Sequence, residues 1–175
     1  MRTAFELEGF ETERLRVLGW RSRGDEVLAA WLTSALTEAV TRELPPSWQG
    51  PLQPNVAEWI AARDEQGRLF LVEAKDGSEP LGLFMLFPPE ITPATEEVRV
   101  GYVLGERAWG QGFATELLRG FVAAWDAAGP GPALLAMVTP SNRASRRVLE
   151  KAGFVLMGRD GEVLRYQQTM TYIAP

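Results

Sequence analysis

The feature that most constrains the fold is a change of hydrophobic period around two closely spaced glycines. Residues Val98–Leu104 are rich in β-branched and other apolar side chains, which predicts a strand. Beyond Gly110 and Gly112, apolar side chains recur at helical spacing from Leu117 to Trp125, which predicts an amphipathic helix. A strand, a glycine loop and a helix in this order favour a fold in which helices cover a sheet.

The glycine loop also has the features of an anion site. Glycine lets the backbone approach a ligand closely, and the exposed N–H groups at the positive end of the next helix favour an anion. The loop therefore predicts a phosphate site at Gly110–Ala114. A P-loop is excluded because no lysine follows the glycines, and a dinucleotide fingerprint is weak because Thr115 stands where its third glycine would be. On the glycines alone, a purely structural turn stays open.

The rest of the chain predicts a mixed sheet of seven strands with four helices in a single domain, residues 1–175. The predicted strands are Arg14–Leu18, Leu69–Glu73, Leu81–Phe87, Val98–Leu104, Pro132–Thr139, Phe154–Arg159 and Leu164–Ile173. Two helices lie between the first two strands, with Asp25 and Asn55 as predicted N-caps and a Pro-rich loop, Leu44–Pro54, between them. The last helix is predicted to begin at a cap formed by Ser141 or Asn142 and to end at Gly153.

Composition excludes several kinds of chemistry. The chain has neither cysteine nor histidine, so disulfides, a thiolate nucleophile, a Ser-His-Asp triad and histidine-based zinc sites are excluded, and we expect no metal. The net charge of −5 argues against nucleic-acid binding. No apolar run approaches the roughly 20 residues of a membrane-spanning helix, and the acidic N-terminus does not resemble a signal peptide. We therefore expect a cytoplasmic protein without a membrane partner.

Three segments resemble a known family. Val100–Glu116 is similar to the central motif of the GNAT superfamily of N-acetyltransferases, whose signature R/Q-x-x-G-x-G/A is met by Arg107, Gly110 and Gly112. Asn142–Phe154 resembles the second motif of that family, and Glu11–Arg16 resembles the first strand of its Rim-type branch, the ribosomal-protein alanine acetyltransferases and their relatives. The resemblance implies a mixed, mostly antiparallel seven-stranded α/β (α+β) sheet that splays between its fourth and fifth strands.

The resemblance also implies acetyl-CoA as cosubstrate. Backbone groups of Tyr102, Val103 and Leu104 would pair with its pantetheine arm, as a peptide adds to a sheet edge. The implied pyrophosphate site runs to the start of the helix and comprises Gly110, Gln111, Gly112, Phe113, Ala114 and Thr115. Arg107 would either contact phosphate or brace this loop, and Asn142 would both contact the arm and cap the last helix.

The implied chemistry is direct attack of a neutral amine on the thioester. Many family members use a tyrosine on the last helix as general acid, but this chain has Leu149 at that position. Ser145 lies one turn earlier and matches a serine that is a proposed general acid in Rim-type relatives. Alternatively, the Ser145 side chain only caps the helix or bonds to its backbone. For the base, acting through water, Glu97 is our first choice and Glu96 the second, unless both are only solvated charges at a strand start. Arg99 stands where Rim-type members have an acid, and we expect it to meet a carboxylate of the substrate or of a partner residue.

The acceptor side is the least defined. It should lie over the first two helices and their Pro-rich connection, with Trp48 as a candidate wall, whereas Trp31 and Trp59 lie on helical stripes typical of a core. The acceptor would be a primary amine, either a protein N-terminus or a small molecule. A non-catalytic acyl-CoA-binding sensor is the alternative function. A monomer and a homodimer are both compatible with the sequence.

Overall fold

The structure is a computed structural model that describes residues 7–49, 56–77, 80–88, 90–91, 96–129 and 131–168. Within these ranges the chain forms nine strands and five α-helices. The strands are β1 (Gly9–Glu11), β2 (Leu15–Gly19), β3 (Arg68–Ala74), β4 (Pro80–Leu86), β5 (Glu90–Ile91), β6 (Glu96–Leu104), β7 (Ala133–Val138), β8 (Val155–Asp160) and β9 (Val163–Gln168). The helices are α1 (Asp25–Ala35), α2 (Glu38–Thr41), α3 (Val56–Gln66), α4 (Phe113–Ala127) and α5 (Arg143–Lys151).

The strands form one mixed sheet in the order β1-β2-β3-β4-β6-β7-β9-β8, and β5 pairs with the beginning of β6. Every neighbouring pair is antiparallel except β6 and β7, which are parallel. β6 and β7 pair only from Glu97 to Arg99, although β6 continues to Leu104. The sheet therefore opens between these two strands toward their C-terminal ends, which confirms the predicted splay.

Two apolar clusters cover opposite faces of the sheet. On the first, which we call the α4/α5 face, Phe121 and Leu149 pack with Val100 and other strand residues. On the second, the α1/α3 face, Leu32 and Ile60 pack with strand residues that include Val103. Because successive side chains of a strand point to opposite faces, each residue of β6 belongs to one face or the other. This alternation decides which site residues can meet.

The fold class is as predicted, but the number of elements is not. The prediction missed β1, β5 and α2, which have three, two and four residues and thus too few positions to show a period. Asp25 is the first residue of α1 and Gly24 is its N-cap, so the predicted cap is one residue out. The cap at Asn142 is confirmed, because its side chain accepts a hydrogen bond from the Ser145 N–H. The predicted cap at Asn55 and the last residues of the predicted C-terminal strand lie outside the described ranges.

Within the described ranges, none of the helices is both long and apolar enough to cross a bilayer.

Candidate active site

A cavity of about 780 Å³ occupies the opening between β6 and β7. Its walls come mainly from β6, the end of β7, the start of α5 and the connection that follows α2, with further residues from β4, the end of α3 and the turn between β8 and β9. Both faces of the sheet contribute, since Tyr102 belongs to the α4/α5 face and Val103 to the α1/α3 face. Ligands that approach from the two faces can therefore meet in one space.

A short 3-10 turn, Glu106–Ala108, connects β6 to the glycine loop. Gly110 and Gly112 have φ angles of +72° and +80°, which L side chains rarely adopt, so glycine is required at both positions. Gly112 is the N-cap of α4 and has no side chain to accept hydrogen bonds from the first N–H groups of that helix. These donors lie at the positive end of a 15-residue helix. The loop thus has the glycine conformations and the helix N-terminus on which the prediction rests, while phosphate binding there stays a prediction.

Side chains from the turn between β1 and β2 brace this loop. The Arg14 guanidinium donates to the Gln111 carbonyl at 3.1 Å and to the Glu116 carboxylate at 2.6 Å, and it lies 4.3 Å from the centre of the Phe113 ring. Glu116 also accepts from the Thr12 hydroxyl at 2.6 Å. Burial raises the pKa of Glu116, but the hydrogen bonds from Thr12 and Arg14 outweigh it, so the pKa lies below its ordinary value. The Glu116 carboxylate is therefore ionised at neutral pH and holds the Arg14 guanidinium as an ion pair.

Arg107 is exposed beside the loop, and its carbonyl accepts a hydrogen bond from Gln111 Nε2 at 2.5 Å. The sequence prediction assigned Arg107 to phosphate contact or to bracing of the loop. Its backbone takes part in bracing, while contact between its guanidinium and phosphate stays a prediction.

The structure brings Ser145, Asn142 and Tyr102 together on the α4/α5 side of the cavity. The hydroxyl oxygens of Tyr102 and Ser145 are 3.0 Å apart, and either can donate to the other. Burial raises the pKa of Tyr102, and the hydrogen bond with Ser145 offsets this only in part. Leu149, one turn farther along α5, is buried against the same wall. The sequence analysis predicted a role for the Tyr102 backbone in binding the pantetheine arm, but it predicted no role for the Tyr102 hydroxyl.

The two predicted bases lie outside the cavity wall. The Glu97 carboxylate forms an ion pair with Arg165 of β9 and accepts from Gln167 Nε2 at 3.1 Å. Glu97 is buried, whereas Glu96 is exposed at the first position of β6. Interpreting Glu97 as a solvated charge is therefore wrong: β9 supplies a cation that is 68 residues away in sequence.

An acidic residue that the prediction missed does line the cavity. Glu43 follows α2, and its Oε2 accepts from the Thr139 hydroxyl at 2.5 Å and from the Ser141 hydroxyl at 2.9 Å. These bonds tie the connection after α2 to the end of β7 across the opening. Only its place next to the predicted acceptor loop could have drawn attention to Glu43, because no periodic pattern includes it.

The predicted acceptor residues Trp48 and Arg99 both line the cavity. The Trp48 ring is buried and stacks edge-on against Trp59, with the ring centres 5.2 Å apart. The Arg99 guanidinium lies 4.4 Å from the centre of the Phe87 ring. Trp59 packs against the α1/α3 cluster, as does Trp31, in agreement with their predicted place in the core. The wall is thus mainly aromatic and apolar, with Arg42, Arg99 and Glu43 among its charged residues.

Comparisons with known proteins agree with this geometry. Residues 14–155 match the family model described as an acetyltransferase (GNAT) domain. The uncharacterized protein YkkB from Bacillus subtilis (strain 168) is 33% identical over 101 residues, which make up 55% of this chain and 58% of YkkB. The matched region therefore spans little more than half the length of that relative.

Two solved structures share the fold. The ribosomal-protein-S5-alanine acetyltransferase from Vibrio fischeri superposes with a TM-score of 0.68 at 19% identity, covering 95% of this chain and 99% of that one. The spermidine N-acetyltransferase from Vibrio cholerae, in complex with CoA and spermine, superposes with a TM-score of 0.67 at 16% identity, covering 89% and 95%. The family match extends over most of the chain and includes both the glycine loop and the start of α5. From its sequence and its fold, the chain belongs to the GNAT family of acetyltransferases.

Proposed function

We propose that this protein is an acetyl-CoA-dependent N-acetyltransferase that transfers the acetyl group directly to a primary amine. One observation supports the proposal most directly: a single cavity joins the Tyr102–Ser145 side of the opening between β6 and β7 to an aromatic wall on the other face of the sheet. A sensor that only binds acyl-CoA has no need of a second wall. Family membership and the CoA bound to the Vibrio cholerae relative support acetyl-CoA as the donor.

The donor half of the proposal uses the loop and the open strand. The N–H groups of Gly110–Ala114 and the side chain of Thr115 would hold the pyrophosphate, with Arg107 beside them. Beyond Arg99, β6 runs to Leu104 without pairing to β7, so its edge is open to the amides of the pantetheine arm. Asn142 would contact the same arm while it caps α5.

The proposed reaction conserves protons. The amine nitrogen forms a bond to the thioester carbonyl carbon, the C–S bond breaks, and the proton lost by nitrogen ends on sulfur. A backbone N–H near Val103 or Leu104 would stabilise the oxyanion, and one such donor contributes about 3 kcal/mol. Ser145 takes the proposed acid position, where its hydroxyl donates a hydrogen bond to the leaving sulfur.

For the base, the hypothesis from the sequence is Glu97 acting through water, with Glu96 second, but the ion pair of Glu97 with Arg165 favours a structural role for Glu97. Both residues lie away from the cavity wall, so this assignment is a hypothesis that the first experiment in the Discussion tests. An ammonium of ordinary pKa, about 10.4, must lose its proton before it can attack the thioester.

The residues that line the cavity indicate which kind of acceptor would bind. Trp48 would hold the apolar part of the acceptor, and Arg99 would bind a carboxylate on it. The two solved relatives, a ribosomal-protein-S5-alanine acetyltransferase and a spermidine N-acetyltransferase, support a protein N-terminus or a small amine as the acceptor. The proposal also places the protein in the Rim-type branch of the family. It further includes a cytoplasmic location, which cell fractionation can measure, and a monomeric or homodimeric state, which sedimentation can measure.

The test is thiol release from acetyl-CoA with a panel of amines: amino acids, peptides with free N-termini, polyamines and aminoglycosides. We expect turnover with at least one class, and Arg99→Ala to raise the KM selectively for acceptors that carry a carboxylate. Acetyl-CoA binding measured by calorimetry, without turnover on any amine, would favour the sensor instead. Absence of acetyl-CoA binding would contradict both functions.

A further inference from the structure

The hydroxyl groups of Tyr102 and Ser145 form a hydrogen-bonded pair in the cavity wall, and both are held in place by the fold. The two oxygens are 3.0 Å apart, and both residues line the wall. Ser145 is fixed from its own side, because its N–H donates to the Asn142 side chain at 3.0 Å. Tyr102 is fixed by the packing of its ring against the α4/α5 cluster. Neither hydroxyl therefore depends on a mobile surface side chain.

The hydroxyl of Thr139, which also lines the cavity, already donates a hydrogen bond elsewhere. Among the described residues that line the cavity, Thr139 is the third with a hydroxyl group, and its proton is donated to Glu43. Thr139 also belongs to the end of β7 that is tied to the acceptor connection. This leaves the Tyr102–Ser145 pair as the hydroxyl donor available to a leaving group on the α4/α5 side.

Either hydroxyl can donate within the pair, and the Tyr102 phenol is favoured as the donor because a phenol is more acidic than an aliphatic hydroxyl. Burial raises the pKa of Tyr102, so its phenol stays protonated at neutral pH and can donate to Ser145 Oγ. A hydroxyl whose oxygen accepts a hydrogen bond is a stronger donor through its own proton, because hydrogen bonds in a chain polarise one another. Donation from Tyr102 therefore directs and strengthens the remaining Ser145 O–H.

We propose that Tyr102 is a positioning residue whose hydroxyl donates to Ser145, so that the Ser145 O–H stabilises the thiolate that leaves from acetyl-CoA. The inference rests on the proposed function and assigns the Tyr102 side chain a role beyond its backbone pairing. As the C–S bond breaks, the electron pair goes to sulfur, which accepts the Ser145 hydrogen bond. The thiol has a pKa of about 8.5, below those of both hydroxyls, so the pair stabilises the thiolate without giving up a proton. The proton that the amine loses then reaches sulfur.

The chain offers a matched control for this hydroxyl. Tyr166 is a buried tyrosine whose OH interacts with the same helix, 3.1 Å from Glu150 and 3.4 Å from Arg146, but it does not line the cavity. Tyr166→Phe removes an equivalent oxygen without touching the proposed donor pair. Tyr102→Phe keeps the ring, so the packing of the α4/α5 cluster is preserved.

The experiment compares acetyl-CoA with its selenium analogue, in which a more acidic selenol replaces the thiol as leaving group. With acetyl-CoA, we expect Ser145→Ala to lower kcat by about 100-fold and Tyr102→Phe by about tenfold, with the KM for the donor changed less than about twofold. The double variant should lose no more than Ser145→Ala alone, because Tyr102 acts through Ser145. With the selenium donor, both losses should shrink to less than about threefold.

A merely structural role for Tyr102 predicts something different. It would lower kcat equally with both donors, and that result, or a Tyr102→Phe variant as active as Tyr166→Phe, would overturn the inference. Thermal unfolding and calorimetry of acetyl-CoA binding establish that each variant is folded and binds its donor. If the wild-type protein turns over no amine, the proposed function itself fails and the inference with it; donor-independent losses in an active enzyme refute the inference alone.

Discussion

Replacing Glu97 by glutamine separates two roles that the sequence left open for this residue. Its carboxylate is paired with Arg165 and accepts from Gln167, within the sheet and away from the cavity wall. Glutamine has nearly the same shape and keeps one carbonyl oxygen as acceptor, but it removes the negative charge. We therefore expect Glu97→Gln to lower stability and to leave the chemistry of the folded protein nearly unchanged.

The size of the effect follows from the burial of the two partners. Removing one partner of a fully buried ion pair costs about 3–5 kcal/mol, whereas an exposed pair contributes less than about 1 kcal/mol. Glu97 keeps 9% of its side chain exposed and Arg165 keeps 34%, so water can reach the arginine that is left behind. An intermediate loss of about 2 kcal/mol follows. For a domain of this size, that loss lowers Tm by about 6 °C.

The assay combines urea and thermal unfolding with the pH profile of kcat/KM. Glu96→Gln is the matched control, since Glu96 is the exposed neighbour, and we expect its unfolding free energy to change by less than about 0.5 kcal/mol. Arg165→Gln and the double variant complete a cycle in which the double loss should be smaller than the sum. A Glu97→Gln protein as stable as wild type, with kcat/KM reduced more than about tenfold and the acidic limb of the profile moved, would refute the reasoning and support a catalytic base.

Three further outcomes test other parts of the site. Gly112→Ala forces an L side chain to φ +80°, although its Cβ would lie 3.6 Å from the Arg14 guanidinium without a clash; we expect about tenfold weaker acetyl-CoA binding by calorimetry. Asn142→Ala should lose about 1 kcal/mol of stability with the cap, whereas Asn142→Asp keeps a capping oxygen and should weaken only acetyl-CoA binding. Glu116 is held below its ordinary pKa of 4.5 by hydrogen bonds from Thr12 and Arg14, so its contribution to stability is present above pH 4.5 and is lost as the pH falls through the lower native pKa. The difference in unfolding free energy between wild type and Glu116→Gln, measured in urea, should therefore shrink below pH 4.5, and a constant difference would contradict this linkage.

The parts of the fold that could be predicted are those whose pattern is long and local. The stripe from Leu117 to Trp125 places α4 correctly, and the turn signal at Asp160-Gly161 places the hairpin of β8 and β9. β1 could not be recognised, because three residues show no alternation and its pairing with β2 is a tertiary contact.

In the site too, the features that could be predicted are those formed by residues close together in sequence. The glycine loop is contiguous in sequence, so its backbone geometry could be anticipated from two glycines and the helix that follows. Glu43 and Thr139 are 96 residues apart, and Arg14 and Glu116 are 102 apart. Nothing local marks either pair, since each depends on the sheet order that brings the two segments together. The prediction for the donor side was therefore sharper than that for the acceptor side.

The alternation of side chains along β6 predicts that the two halves of the proposed reaction can be altered separately. Tyr102 belongs to the α4/α5 face, where its hydroxyl meets Ser145, while Val103 belongs to the α1/α3 face. Arg99 is an odd number of residues from Tyr102 and so lies on the face opposite to it. A slip of one residue in the pairing of β6 with β4 would exchange these faces and would bury Arg99 in the α4/α5 cluster, so packing holds the register. Substitutions at Arg99 should therefore change acceptor KM values, whereas those at Tyr102 should change the response to the leaving group, and neither should produce the other effect.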